Sequence, residues 1–359
     1  MAYPATSITR ALRMRLPVIQ APMASGATTP ELVAAVSNAG GLGSFAGAVL
    51  APKAIAEGVA RIRALTDRPF CVNLFVLEAP EVHAVDLAVA LARLAPFHAE
   101  LGLPPPVAPA RFCEDPQAQF EALVEAAPAL ASFTFGVHSA QAIERLHARG
   151  SKVAGSATNV AEARAWEAAG ADFICAQGME AGGHRGTFIG AYEASLIGTM
   201  ALVPQIVDAV NVPVIAAGGI MDGRGIAAAM MLGAAAAQMG TAFLDCTESG
   251  IHKLWKEALR GAGDTGTRVT RAFSGRMARG LDNDFMRRMD ACQNDVPAYP
   301  VQNALTGAMR AAAAAAGKSE YMSLWAGQGV AMGRRLPAAE LLAVLDRETR
   351  AAFTEGGIS

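Results

Sequence analysis

Paired cysteines are missing from this chain. Cys71, Cys113, Cys175, Cys246 and Cys292 are odd in number and widely spaced, and no C-x-x-C occurs. Neither a disulfide framework nor a thiolate zinc site is expected, and a reducing cytoplasm fits. Cys71 and Cys175 lie in apolar runs and read as buried thiols. Charge is scarce as well. Only 17% of residues are charged, the net charge is −2, and the 30 Lys and Arg form no basic tract. That excludes a general attraction to nucleic acid or anionic lipid. No unbroken apolar run is long enough to span a membrane. The most apolar stretch, 226–244, is interrupted by Gly233, Gln238, Gly240 and Thr241, whereas a span needs about 20 apolar residues. Residues 1–15 hold no apolar core of a signal peptide. His83, His98, His138, His147 and His252 lack ligand-like spacing and read as surface or packing residues. No G-x-S-x-G elbow or reactive-cysteine signature appears.

What is present is a large reserve of apolar side chains. Hydrophobic residues make up 52% of 359, enough to bury the core of a barrel-sized domain and a smaller one. Short apolar runs at 16–20, 42–44, 70–74, 132–135, 152–155, 172–176, 214–217 and 236–239 alternate with helical patterns. Most are apolar on both faces, as parallel strands covered by helices must be. Eight such strands close a (β/α)8 barrel. Thr29, Ser139, Asn159 and Asp222 stand where they can cap the helices 30–38, 140–148, 160–169 and 223–232. Two regions exceed a bare barrel. Residues 80–128 contain a Pro104-Pro105-Pro106 break and read as an excursion with two helices. Residues 246–333 read as a separate, mostly helical lobe over the barrel mouth, and 334–359 as a last helix returning to the barrel that spans 1–245.

The chemistry concentrates at strand ends. In such barrels the active site lies at the C-terminal ends of the strands, and phosphates bind after the seventh and eighth. Here Gly218-Gly219 follows the seventh run, and Gln238-Met239-Gly240-Thr241 closes the eighth. Bare backbone amides beside a helix start attract an anion. Gly41-Leu42-Gly43-Ser44-Phe45-Ala46 matches a dinucleotide fingerprint in letters only, because it follows a helix and enters a strand. Asn73 and Gln177 each offer a donor and an acceptor suited to the edge of a flavin ring, or equally to buried backbone. The loop 177–186, QGMEAGGHRG, sets His184 among glycines. An imidazole held there is suited to proton transfer near neutral pH, or is a solvated histidine in a tight turn. Glu180 reads as pointing to solvent.

Together these segments resemble the nitronate monooxygenase family, formerly the 2-nitropropane dioxygenases, and its class I branch. The likeness runs through QAPMASGATTPELVAAVSNAGGLGSF (20–45), FTFG (133–136), GSATNVAEA (155–163), QGMEAGGHRGTF (177–188) and PVIAAGGIMDGRGIAAAMMLGAAAAQMGTAFL (213–244). It continues in YPVQNALTG (299–307) and WAGQG (325–329). The resemblance implies non-covalent FMN in a (β/α)8 TIM barrel. It implies that Ala21, Pro22 and Met23 line the flavin, and that Asn73 and Gln177 contact its ring or ribityl chain. Gly182, Gly183, Gly218, Gly219, Gln238, Met239, Gly240 and Thr241 would complete the site, with phosphate at the last group. His184 would be the catalytic base.

The implied activity is oxidation of alkyl nitronates, such as propionate 3-nitronate, and of nitroalkanes by O2 to a carbonyl compound and nitrite. Tyr299 and Asn303 are candidates for lining the pocket, and Arg185 for holding an anionic substrate or for a surface role. A monomer or homodimer is expected. Two other readings stand beside this one. An FMN-dependent NAD(P)H:quinone reductase, or the related enoyl-acyl-carrier-protein reductases that share the AGGH loop, would use the same pocket. A non-catalytic flavin-binding protein would keep the glycines without turnover.

Overall fold

In the computed structural model, which describes residues 5–78, 80 and 82–355, the apolar runs close into a barrel. The first four and last four residues of the chain, at the ends of the expected N-terminal stretch and of the 334–359 segment, lie outside the described residues. The strands are β1 (Val18–Gln20), β2 (Gly43–Ala46), β3 (Phe70–Phe75), β4 (Leu130–Thr134), β5 (Lys152–Ala157) and β6 (Phe173–Gln177). A two-residue strand β7 (Gly183–His184) follows, then β8 (Val214–Ala217) and β9 (Ala236–Met239). All the barrel strands are parallel, in the order β1-β9-β8-β6-β5-β4-β3-β2, and a parallel bridge between Ile19 and Leu42 joins the two edges. The fold is a (β/α)8 barrel.

The expected caps form. Thr29 Oγ1 accepts from Leu32 N at 3.0 Å, Asn159 Oδ1 from Glu162 N at 2.9 Å, and Asp222 Oδ1 from Arg224 N at 3.0 Å. The misleading G-x-G is a packing device. A Cβ on Gly43 would stand 2.2 Å from the Val33 carbonyl oxygen, so β2 can press onto the helix Pro30–Asn38 only with glycine there.

Among the described residues three cores hold the fold together. One lies between the barrel and its helices, and the returning helix Ala338–Glu355 joins it through Leu341, Leu342 and Leu345. A second, inside the barrel, includes Ile19, Cys71, Cys175 and Ile215. Ile8 and Leu12, from the helix Ser7–Ala11 and its end, plug this interior. Nothing in the short N-terminal stretch announces that helix.

The third core belongs to the lobe and corrects the expected boundary. The excursion does hold two helices, Ala84–Glu100 and Pro116–Ala126. Only the second covers the barrel. The first turns its Ala90, Leu94 and Phe97 into the lobe's core. Phe97 meets Phe285 with ring centroids 4.8 Å apart, and Glu100 accepts from Arg288 at 2.6 Å and from the Tyr321 hydroxyl at 2.6 Å. The lobe also carries a hairpin, β10 (Thr267–Thr270) and β11 (Ala278–Leu281), that the sequence reading lacks. β11 pairs antiparallel with β7, which stitches the lobe to the barrel mouth. Among the described residues no helix is long and apolar enough to cross a membrane.

Candidate active site

A cavity of about 380 Å³ opens at the C-terminal ends of the strands, under the lobe. That volume lies in the range of small-molecule and cofactor sites. Ala21, Pro22 and Met23 form its wall after β1, Asn73 lies in β3, and Gln177 ends β6. Gly182, Gly183 and His184 line it from the loop and β7, Gly218 and Gly219 from the end of β8, and Gln238, Gly240 and Thr241 from β9 onward. Met239 is the exception. Its side chain is buried in the core around the barrel, and it serves through its carbonyl, which accepts from Ala21 N at 2.9 Å. Alternation along a strand explains this, since neighbours point to opposite faces.

His184 is fixed more firmly than a glycine loop suggests. It belongs to β7 and pairs with Ala278 of β11. Gln177 Nε2 donates to the His184 carbonyl at 3.0 Å, and Gln177 Oε1 accepts from Gly186 N at 2.8 Å. The Gln177 amide therefore holds the backbone of this segment. The ring stands among aromatic neighbours, with centroids 5.4 Å from Tyr299, 5.6 Å from Phe135, 5.6 Å from Trp325 and 6.4 Å from Phe75. Its remaining accessible surface faces the cavity. Burial, with the nearby guanidiniums of Arg276 and Arg310, lowers its pKa to about 3. The imidazole is neutral at physiological pH, so one ring nitrogen carries a lone pair.

Ser274 decides which nitrogen accepts it. The Ser274 hydroxyl donates to the Arg276 carbonyl at 3.0 Å and lies 2.8 Å from His184 Nε2. With its one hydrogen on the Arg276 carbonyl, the Ser274 oxygen can accept from Nε2–H, the tautomer that leaves the lone pair on Nδ1. Ser274→Ala frees the tautomer. We expect turnover of a substrate that must first lose a proton to fall about tenfold in kcat, with little change on one that is already deprotonated. Equal effects on both substrate classes would show a merely structural role.

The expectations for Glu180 and Arg185 are corrected, and those for His138, His147 and Cys175 hold. Glu180 does not point to solvent. Its carboxylate accepts from Thr199 N at 2.9 Å and Thr199 Oγ1 at 2.9 Å, tying the loop to the start of the helix Thr199–Ala209. Arg185 neither faces the cavity nor the surface. It is buried and donates to the carbonyls of Gln177 and Ser195. His138 packs between Phe120 and Phe133, and His147 Nε2 meets Asp172 at 2.8 Å. Cys175 forms part of the cavity floor, but burial pushes its thiol up to about 12, so it is not a nucleophile.

The donor set fits FMN. Among the described residues lining the cavity there is no Asp, Glu or Lys to repel or pair with a phosphate-bearing anion. The N–H groups of Gly218, Gly219 and Gly240 donate to no acceptor among the described residues, as a phosphate cradle requires. Asn73 Nδ2 is spent on the carbonyl and hydroxyl of Ser132, both at 3.1 Å, which leaves its Oδ1 as an acceptor. Gln238 Nε2 rests 3.3 Å from Cys175 Sγ, with the same consequence. Thr241 Oγ1 accepts from Gly327 N at 2.9 Å, and Gln328 N donates to the Glu180 carbonyl at 2.9 Å. The WAGQG segment is thus a strap across the cradle. Sequence reading placed Tyr299 and Asn303 near the pocket, and both line it. It missed Ser274, Arg310, Trp325, Phe75 and Phe135, whose distance along the chain from His184 conceals them. Only Phe135, in FTFG, and Trp325, in WAGQG, lie in a noted motif.

The nitronate monooxygenase family model matches residues 7–348. A probable nitronate monooxygenase of Staphylococcus saprophyticus is 42% identical over 339 residues, covering 94% of this chain and 95% of that protein. One from Staphylococcus aureus is 42% identical, covering 92% and 93%. Among solved structures, nitroalkane oxidase from Streptomyces ansochromogenes superposes with a TM-score of 0.90 at 42% identity, covering 97% of this chain and 99% of that one. FabK from Thermotoga maritima does so at 0.78 with 29% identity, covering 99% of each.

Proposed function

Because the chain belongs to the nitronate monooxygenase family, we propose that it uses FMN to oxidise alkyl nitronates, propionate 3-nitronate among them, with O2 to a carbonyl compound and nitrite. The observation that carries this reading is His184, a neutral imidazole whose Nδ1 makes no hydrogen bond among the described residues, lining a cavity that holds no carboxylate among its described lining residues. A carbon acid beside a nitro group can give its proton to that nitrogen. The imidazolium so formed lies beside the nitronate it has generated, and the aromatic walls keep water from the pair. When substrate arrives already as nitronate, no proton needs to pass to His184. Bound FMN would supply the electron acceptor that the protein's own side chains lack. The glycine amides after β8 and at Gly240 would hold its phosphate, with Asn73 and Gln238 offering acceptors to its polar edge.

The test is flavin reduction under nitrogen, comparing propionate 3-nitronate, nitroethane, NADH and NADPH. Bleaching by the nitronate and not by the nicotinamides is the expected result. Rapid bleaching by NADH or NADPH alone would assign the pocket to a reductase, and a colourless protein that takes up no FMN would remove the enzyme reading altogether.

A further inference from the structure

Arg310 is the only charged side chain among the described residues that line the cavity. It projects from the helix Gly307–Ala315. Its Nη2 donates to the Asn303 carbonyl at 2.8 Å and to Asn303 Oδ1 at 3.1 Å, and its Nη1 reaches Ser323 Oγ at 3.3 Å. Its Nε has no acceptor at all. Among the described residues no carboxylate pairs with it, although thirteen other arginines form ion pairs.

Three other arginines, two buried and one half-buried, lack carboxylate partners and are explained by local bonds. Arg185, Arg276 and Arg279 direct their guanidiniums to backbone carbonyls, and Arg276 also lies 3.9 Å over the Phe135 ring. None of the three lines the main cavity. A guanidinium withdrawn from water without a counter-charge is costly unless an anion arrives to complete it. Arg310 is close enough for its charge to act on both the His184 imidazole and the Tyr299 hydroxyl. It therefore belongs to the part of the cavity where His184 and Tyr299 stand.

We infer that Arg310 binds a second anionic group on the substrate, remote from the nitronate, and so selects short nitronates that carry a carboxylate over simple alkyl nitronates. A planar guanidinium suits a carboxylate better than it suits a single point charge. Asn303 is the positioning residue, since two of the three bonds that orient the guanidinium end on it. The inference rests on the nitronate reading of the same cavity.

Two measurements on the FMN-loaded full chain separate this from its alternatives. In calorimetric titration, succinate stands in for a dianion with one end mimicking the nitronate, and butyrate keeps only one charged end. Wild type is expected to bind succinate at least about tenfold more tightly than butyrate, and Arg310→Met to bring the two within about twofold. In steady state, the ratio of kcat/KM for propionate 3-nitronate over propane 1-nitronate is expected to fall about thirtyfold in Arg310→Met, chiefly through KM. Arg310→Lys should recover part of both effects and gives the reading if the methionine variant does not fold. No succinate preference in wild type, or equal losses on both nitronates, would overturn the assignment and place Arg310 at the reacting end. If wild type oxidises neither nitronate, the activity reading fails while the succinate comparison still judges Arg310.

Discussion

His184→Asn is expected to retain bound FMN and to lose activity on neutral nitroalkanes by about a hundredfold or more. Asparagine keeps a polar side chain of similar reach but has no nitrogen able to take a proton near neutral pH. Activity on preformed nitronates should fall much less, because the proton has already gone. Measuring kcat/KM on nitroethane and on its nitronate decides the matter, and equal retention of both removes His184 from the base role. Acid stability supplies an independent readout. The folded imidazole titrates at about 3, depressed by burial and by Arg276 and Arg310 from an ordinary value of 6.5. The unfolded chain therefore binds the extra proton first as pH falls. The stability that His184 contributes is complete above about pH 6.5 and drains away between there and about pH 3. Wild type should lose more stability across that window than His184→Asn, by chemical denaturation at each pH.

Gly240→Val is expected to yield a folded protein holding less than about a tenth of the normal FMN. A Cβ at this position would stand 3.5 Å from Ala21 Cβ and 3.5 Å from Met23 Sδ, which are ordinary contacts. The first carbon is therefore tolerated. The two further methyls of valine have only the cavity to enter, and there they cover the Gly240 N–H and fill the space of the phosphate. Flavin released by denaturing a known quantity of protein measures the effect. Undiminished FMN in Gly240→Val would refute the placement of the phosphate after β9.

The barrel was legible because its strands are buried on both faces, and a run such as Val214–Ala217 leaves no polar residue to obscure the pattern. β1 is shorter than its apolar run, since the pairing with β9 begins only at Val18, after Pro17. The lobe hairpin was not legible. Its strands read TRVT and ARGL, four residues each with an arginine inside, and neither alternates as a half-buried strand does. β7 is two residues long and exists only because β11 lies beside it. The site divides in the same way. Residues at strand ends, such as Gly219 and Thr241, follow from the barrel's geometry. Ser274 lies ninety positions from the imidazole it orients, and no periodicity records that meeting. Glu180 does not read from the sequence because its partner, the first residue of the helix Thr199–Ala209, lies nineteen positions on, beyond any local pattern.

The seam between β7 and β11, with the Gly327 strap resting on Thr241, makes each half of the molecule the other's scaffold. A fragment ending near residue 245 would carry the glycine cradle and yet leave the imidazole's strand without its neighbour. Cofactor affinity and lobe stability are consequently linked quantities. Whatever loosens the hairpin should weaken flavin retention, and saturating flavin should raise the temperature at which the lobe melts.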